Sequence, residues 1–146
     1  MGFSTSQGSI KAVDGISFDV AAGEFVSIIG PSDCGKSTLF NIVGGLLSGF
    51  EGEVAVGGES ISGPHPGIGM VFQEESTFPW RTVLDNVAFP LEIQGVPKGE
   101  RYVRARHFIQ MVGLEGFENR FPAELSGGMR QRVAIARTLA FQPKYC

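Results

Sequence analysis

An α/β architecture is the fold class this 146-residue sequence predicts. Three observations carry it. Phe25-Val26-Ser27-Ile28-Ile29 is a nearly continuous apolar run, the pattern of a buried central strand. It leads into Gly30-Pro31-Ser32-Asp33-Cys34-Gly35-Lys36-Ser37-Thr38, a glycine-bearing loop that opens helical sequence. After Phe72 the hydrophobic period changes from that of strands to that of helices.

In chain order, Ile16 to Val20 alternates apolar and polar residues as a half-buried strand does, and Ala22-Gly23-Glu24 supplies the turn into the second strand. A helix is expected from about Lys36 to Val43. Short strands are expected at Glu53 to Val56 and at Ile68 to Phe72, separated by the turn-rich Gly57-Gly58 and Ser62 to Gly67. Val83 to Ala88 reads as a short helix stopped by Pro90. From Arg101 onward Ala105, Phe108, Ile109 and Val112 fall at i, i+3, i+4 and i+7, with Gly113 as the stop. The last helix is expected over Gly127 to Ala140, with Met129, Val133, Ala136 and Ala140 as its inward stripe and Pro143 beyond its end. There is no internal repeat.

The length fits about one domain. No apolar stretch approaches the roughly 20 residues that cross a bilayer, and Met1 to Ile10 lacks the basic flank and apolar core of an export signal. A cytoplasmic protein is the expectation. The two cysteines, Cys34 and Cys146, are expected to be free thiols, since tying Cys34 to Cys146 would distort the glycine loop. A net charge of −3 gives no support to polyanion binding, so no nucleic-acid partner is expected, although most arginines lie between Arg101 and Arg137.

The loop has the pattern G-x-x-x-x-G-K-[ST]. Glycines let a chain curl closely enough to offer backbone N–H groups to phosphates. Lys36 would reach the β and γ phosphates, the helix N-terminus would face them, and the Ser37 hydroxyl would coordinate Mg²⁺. Its placement after a strand and before a helix is the context this chemistry requires. Asp33 puts an acid beside the phosphates. Two unit charges about 5 Å apart at an effective dielectric near 20 repel by roughly 3 kcal/mol, so Asp33 is expected to weaken ATP binding without abolishing it. Asp tolerates a left-handed backbone, and the loop can still form.

Leu125-Ser126-Gly127-Gly128 precedes the last helix. Ser126 is a good N-cap, and the first-turn N–H groups at Gly127 and Gly128 favour an anion; read alone, these residues fit equally well a plain loop and cap. With the continuation Met129 to Ala140, MRQRVAIARTLA, and the phosphate loop upstream, the chain resembles the nucleotide-binding domain of ATP-binding cassette (ABC) proteins. The resemblance implies a P-loop NTPase fold with an antiparallel β subdomain and a helical subdomain, C-terminally incomplete. It divides the chain into a β-rich and phosphate-loop core at 1–72, a glutamine loop and helical subdomain at 73–125, and a signature helix at 126–146.

The same resemblance assigns roles. ATP is held by Gly30 to Thr38, with Lys36 and Gln73 catalytic and Ser37 and Gln73 at Mg²⁺. Ser126, Gly127 and Gly128 close over the ATP of a second nucleotide-binding domain in a head-to-tail dimer. Phe3 matches by spacing the aromatic that stacks on adenine; its other reading is an ordinary end residue. The stretch from Phe78 to Ala88 looks like importers of nitrate, sulfonate or taurine, where the membrane permease docks, although Trp80 could equally be a core residue. The protein is then expected on the inner face of the plasma membrane, bound through its permease. The hydrophobic strand ending in Asp-Glu, and the switch histidine, lie beyond Ala140 in that family; neither His65 nor His107 stands in position to replace the histidine. The chain alone is therefore expected to be marginally stable and to show little Mg-ATPase activity. The alternatives are a non-catalytic nucleotide-binding fragment and an ABC ATPase of a soluble system.

Overall fold

A computed structural model describes the backbone of residues 2–5 and 8–11, and residues 13–72 and 76–146 in full. The chain forms two compact units, Met1–His65 and Pro66–Cys146.

In the first unit, β1 (Gly2–Thr5) and β2 (Gly8–Lys11) form an antiparallel hairpin with Phe3 opposite Ile10. The Gly/Ser/Thr-rich start gave no sign of it. The turn at Ala22-Gly23-Glu24 is present: the Glu24 amide donates to Ala21 O at 3.1 Å, and the Ala21 amide to a Glu24 carboxylate oxygen at 2.7 Å. The two strands expected on either side of it are not. Ile16 to Val20 and Phe25 to Ile29 lie outside any strand, and Phe25 and Ile29 are 91% and 94% exposed. A strand exists through the ladder its neighbours supply, and among the described residues nothing pairs with this run.

α1 spans Lys36–Val43, the expected limits, and ends at Gly45, whose φ of +71° lets the Leu46 amide reach back to Asn41 O at 2.8 Å. A Cβ there would lie 2.1 Å from the Gly63 carbonyl oxygen, so the position has no room for a side chain. The strand expected at Glu53 to Val56 shortens to β3 (Ala55–Val56), paired through Gly57-Gly58 with β4 (Glu59–Ser60).

The second unit is helical. The strand expected at Ile68 to Phe72 reduces to one parallel bridge, Ile68 with Tyr145. α2 spans Val83–Ile93 and runs through Pro90 instead of stopping before it. Proline costs the helix one donor, but Leu91 just beyond it is buried, and the Gln94 amide resumes the ladder on Pro90 O at 3.1 Å. Thr82 caps the start, accepting from the Asp85 amide at 3.2 Å. The next two orphan amides, Val83 and Leu84, donate to Arg120 O and Glu118 O, so the loop before α4 helps to close α2.

α3 (Lys98–Met111) buries Ala105 and Ile109 and half-buries Phe108 and Val112, the expected face. Gly113 stops it, with the Leu114 amide donating to Ile109 O at 3.0 Å. A short 3₁₀ turn, Pro122–Glu124, leads to α4 (Gly127–Ala140), which has the expected limits. α2, α3 and α4 pack on one another around Val87, Ile109, Leu114, Val133 and Ala136, all 1% exposed or less.

Candidate nucleotide site and its surroundings

The phosphate loop is built by two left-handed residues. Asp33 sits at φ +60° and Gly35 at φ +91°. Asp is among the few side chains that accept this region, and the loop closes with it in place. Gly35 is the N-cap of α1 and supplies no side-chain cap, so the first-turn amides of α1 are left facing the loop. Lys36 folds back over the same loop: its Nζ donates to Gly30 O at 2.9 Å and to Pro31 O, and lies 3.6 Å from Cys34 Sγ. A Cβ on Gly30 would meet Cys34 Sγ at 2.9 Å. Thus Gly30, Pro31, Cys34, Gly35 and Lys36 are brought together. Pro31, Ser32, Asp33, Cys34 and Ser37 are exposed, and Thr38 is half-buried in the first turn of α1.

The residues fit a nucleoside triphosphate with Mg²⁺. The loop offers one ammonium and a helix start to phosphate oxygens, and Ser37 stands one residue into that helix with its hydroxyl side chain exposed. Among the described residues no three His, Cys, Asp or Glu side chains gather as a ready cation cage.

In the second unit, Ser126 caps α4 as expected, its Oγ accepting from the Met129 amide at 3.3 Å. Gly127 and Gly128 are exposed, and a Cβ on Gly128 would meet nothing within 4 Å. Leu125, by contrast, is buried, and its carbonyl accepts from Arg130 at 2.6 Å. One end of the motif is anchored while the glycines face outward. Phe3 lies in β1, where only the backbone is described. Gln73 lies outside the described residues. Its flanks do not: Phe72 O accepts from Gln131 Nε2 at 3.3 Å, and Ser76 Oγ accepts from Arg137 at 2.9 Å, so α4 holds the chain on both sides.

Two residues near Trp80 escaped the sequence reading. Asn86 is fully buried in α2, and its amide closes the turn before that helix. Its Oδ1 accepts from the Phe78 amide at 2.8 Å, and its Nδ2 donates to Phe78, Arg81 and Thr82 carbonyls at 2.9 to 3.1 Å. Trp80, at the apex of that turn, is 72% exposed and is not a core residue. Arg137 was read only as part of an arginine-rich stretch. A polar residue on an otherwise apolar helix face, as Asn86 is, was the available signal.

Asp85 and Tyr102 join α2 to α3 through a 2.6 Å hydrogen bond. Burial disfavours the Asp85 carboxylate, but hydrogen bonds from Tyr102 and Thr82 and the nearby Arg81 outweigh it and hold the carboxyl below its usual range.

A family model described as ABC transporter matches residues 13–146. An uncharacterized ABC transporter ATP-binding protein of Methanocaldococcus jannaschii is 53% identical over 92% of this chain and 51% of its own length. An aliphatic sulfonates import ATP-binding protein of Bacillus thuringiensis is 45% identical over 97% of this chain and 55% of its own. A nitrate import ATP-binding protein of Synechocystis is 46% identical over 97% and 53%. The chain thus spans about half the length of the curated relatives it matches. A solved dimeric bacterial ABC transporter cassette superposes with a TM-score of 0.89 at 38% identity, over 97% of this chain and 67% of that one. With the phosphate loop and the capped Leu-Ser-Gly-Gly helix both inside the matched span, the chain belongs to the ABC transporter family and has the fold of its ATP-binding cassette.

Proposed function

We propose that the protein is the ATP-binding subunit of an importer for a small anion of the nitrate, sulfonate or taurine kind. Lys36 carries the proposal: an ammonium held at the mouth of a loop with two left-handed residues, beside an uncapped helix start. Phosphate oxygens would take over the contacts that Nζ makes with Gly30 and Pro31 carbonyls, and the first-turn amides of α1 would complete the cradle. Mg²⁺, when bound, neutralises charge on the β and γ phosphates. The Ser37 hydroxyl would be one ligand to the ion, and Gln73 would be the second residue at the ion and at the attacking water.

Ser126, Gly127 and Gly128 then act in trans, their exposed helix start meeting the γ phosphate held by a second copy. Regions 1–72, 73–125 and 126–146 are the core, coupling and signature parts of that cycle. The small-anion assignment is supported by the Phe78 to Ala88 stretch and by the names of the sulfonate, nitrate and taurine relatives. Trp80, exposed on an Asn86-locked turn, is the contact offered to the permease, which would place the subunit at the inner membrane face. Asp33 favours a second, weaker reading, in which the acid lowers affinity enough for the site to bind nucleotide without turning it over.

Equilibrium titration with Mg-ATP and a fluorescent analogue tests the proposal. Saturable binding that Lys36→Ala weakens at least about tenfold, the loss of one charge-assisted contact set, is expected; equal affinity in the two proteins would overturn it. Asp33→Gly is expected to tighten binding, and unchanged affinity would remove the role given to that acid.

A further inference from the structure

The two units differ in charge as well as in packing. Met1–His65 carries seven acidic and two basic side chains, Pro66–Cys146 eight and ten. A pairing that sets the first unit of one copy against the second unit of another brings opposite net charges together, whereas two first units repel. One residue of each sign stands at the motifs that such a pairing joins.

The acid is Asp33. It is exposed on the phosphate loop at φ +60°, three residues before Lys36, whose Nζ is held by the Gly30 and Pro31 carbonyls. Asparagine shares the tolerance of aspartate for this backbone, so the shape of the loop does not by itself call for a charge. The cation is Arg130, in the first turn of α4. Its Nη1 donates to Leu125 O at 2.6 Å, and its Nη2 lies 3.8 Å from where a Cβ on Gly127 would sit. The guanidinium is therefore folded back along its own helix to the exposed glycines. Neighbouring arginines are directed elsewhere: Arg120 meets Glu124 at 2.9 Å, and Arg132 donates to Val112 O at 3.3 Å, at the end of α3. A guanidinium presents five N–H donors in a planar fork, so a carboxylate can join the contacts that Arg130 already makes.

We infer that Asp33 of one copy and Arg130 of a second copy form an ion pair across the head-to-tail contact, twice in a two-fold dimer. The inference rests on the head-to-tail reading of Ser126, Gly127 and Gly128, and it gives Asp33 a second role. In the single chain the acid opposes the phosphates; in the pair, Arg130 brings its counter-charge as the second copy closes. A partner without a cation at that place leaves the acid against the phosphates, so the ion pair selects a second copy of this chain.

Sedimentation of the full chain at saturating Mg-ATP measures the contact. Asp33→Asn keeps the loop's backbone preference and removes the charge, and Arg130→Gln removes the guanidinium. Each is expected to weaken dimerisation at least about tenfold, as loss of a close interfacial charge pair should. The double variant should be no weaker than the worse single one, because both changes remove one interaction. Asp33→Asn should also bind Mg-ATP more tightly in the dilute single chain while dimerising less, opposite signs that a misfolded protein would not give. Additive losses, or an Asp33→Asn chain that dimerises as well as the unaltered one, would overturn the inference. Dimerisation that Ser126→Arg abolishes but neither charge change weakens sinks the ion pair and leaves the head-to-tail reading standing; a chain that binds Mg-ATP through Lys36 and never dimerises sinks both.

Discussion

The two units of this chain solve the same packing problem to different degrees. Pro66–Cys146 buries Val83, Val87, Ile109, Leu114 and Val133 completely or nearly so, and satisfies the amide of its buried Asn86 from within. Met1–His65 holds the phosphate loop but leaves Phe25, Ile29, Ile16 and Val20 about half to almost wholly exposed. Helices carry their backbone hydrogen bonds internally, so three of them can close a core among themselves. A strand's bonds and both its faces depend on neighbours. The lesson is that the glycine-bearing loop and the closed helical core lie in different units.

Substitutions can break this contrast. The largest effect is expected from Asn86→Ala, which removes the acceptor of the Phe78 amide and the donor to the Arg81 carbonyl, while Phe78 O keeps the Arg81 amide and Thr82 O keeps the backbone amide of residue 86. At about 1–3 kcal/mol for each of these two groups, a loss of about 4 kcal/mol is expected in chemical denaturation, with Trp80 emission shifting before the helical signal is lost. A cost below about 1 kcal/mol would mean that Asn86 does not hold the turn. Next, Ile109→Ala is expected to cost about 3 kcal/mol as a core cavity, whereas Ile29→Ala, at an exposed site, should stay within about 0.5 kcal/mol. Similar costs at the two positions would erase the distinction between the units.

The smallest effect sharpens the link between α2 and α3. Asp85 has a depressed folded-state pKa, so its ionisation contributes stability above its unfolded value, near 3.9, and that contribution disappears as pH falls through the folded value. Tyr102→Phe removes the hydroxyl that opposes burial. The Asp85 carboxyl should then titrate at higher pH in a carbon-detected NMR experiment, and the acid-side loss of stability that it contributes should become smaller. An unmoved titration would show that the other partners of Asp85 suffice.

Where the sequence carried its own boundary signals, it read correctly. α1 and α4 begin at Gly35-Lys36 and at Ser126-Gly127, and both ran over their expected residues, because the glycine loop before α1, and the Ser126 cap and apolar stripe of α4, are local information. α2 was expected to end before Pro90; burial of Leu91, a tertiary effect, carried it on to Ile93. The strands at 16–20 and 25–29 were misjudged for a related reason, since alternation and apolar runs describe what a segment would do beside a partner. At the site, the left-handed Asp33 and the Ser126 cap were legible from residue chemistry. Asn86 and Arg137 were not, because what distinguishes them is which carbonyls, rings and hydroxyls surround them in space.

If the phosphate loop and the signature helix of separate copies form one composite site, ATP-driven self-association should survive complementary damage. Lys36→Ala spoils the loop and Ser126→Arg blocks the exposed start of α4. Sedimentation velocity with Mg-ATP is the direct measurement. Each variant alone is expected to stay monomeric, while their equimolar mixture yields dimer, because one intact loop can face one intact signature. A mixture that remains monomeric while the unaltered protein dimerises, or a Ser126→Arg protein that dimerises by itself, would contradict the account.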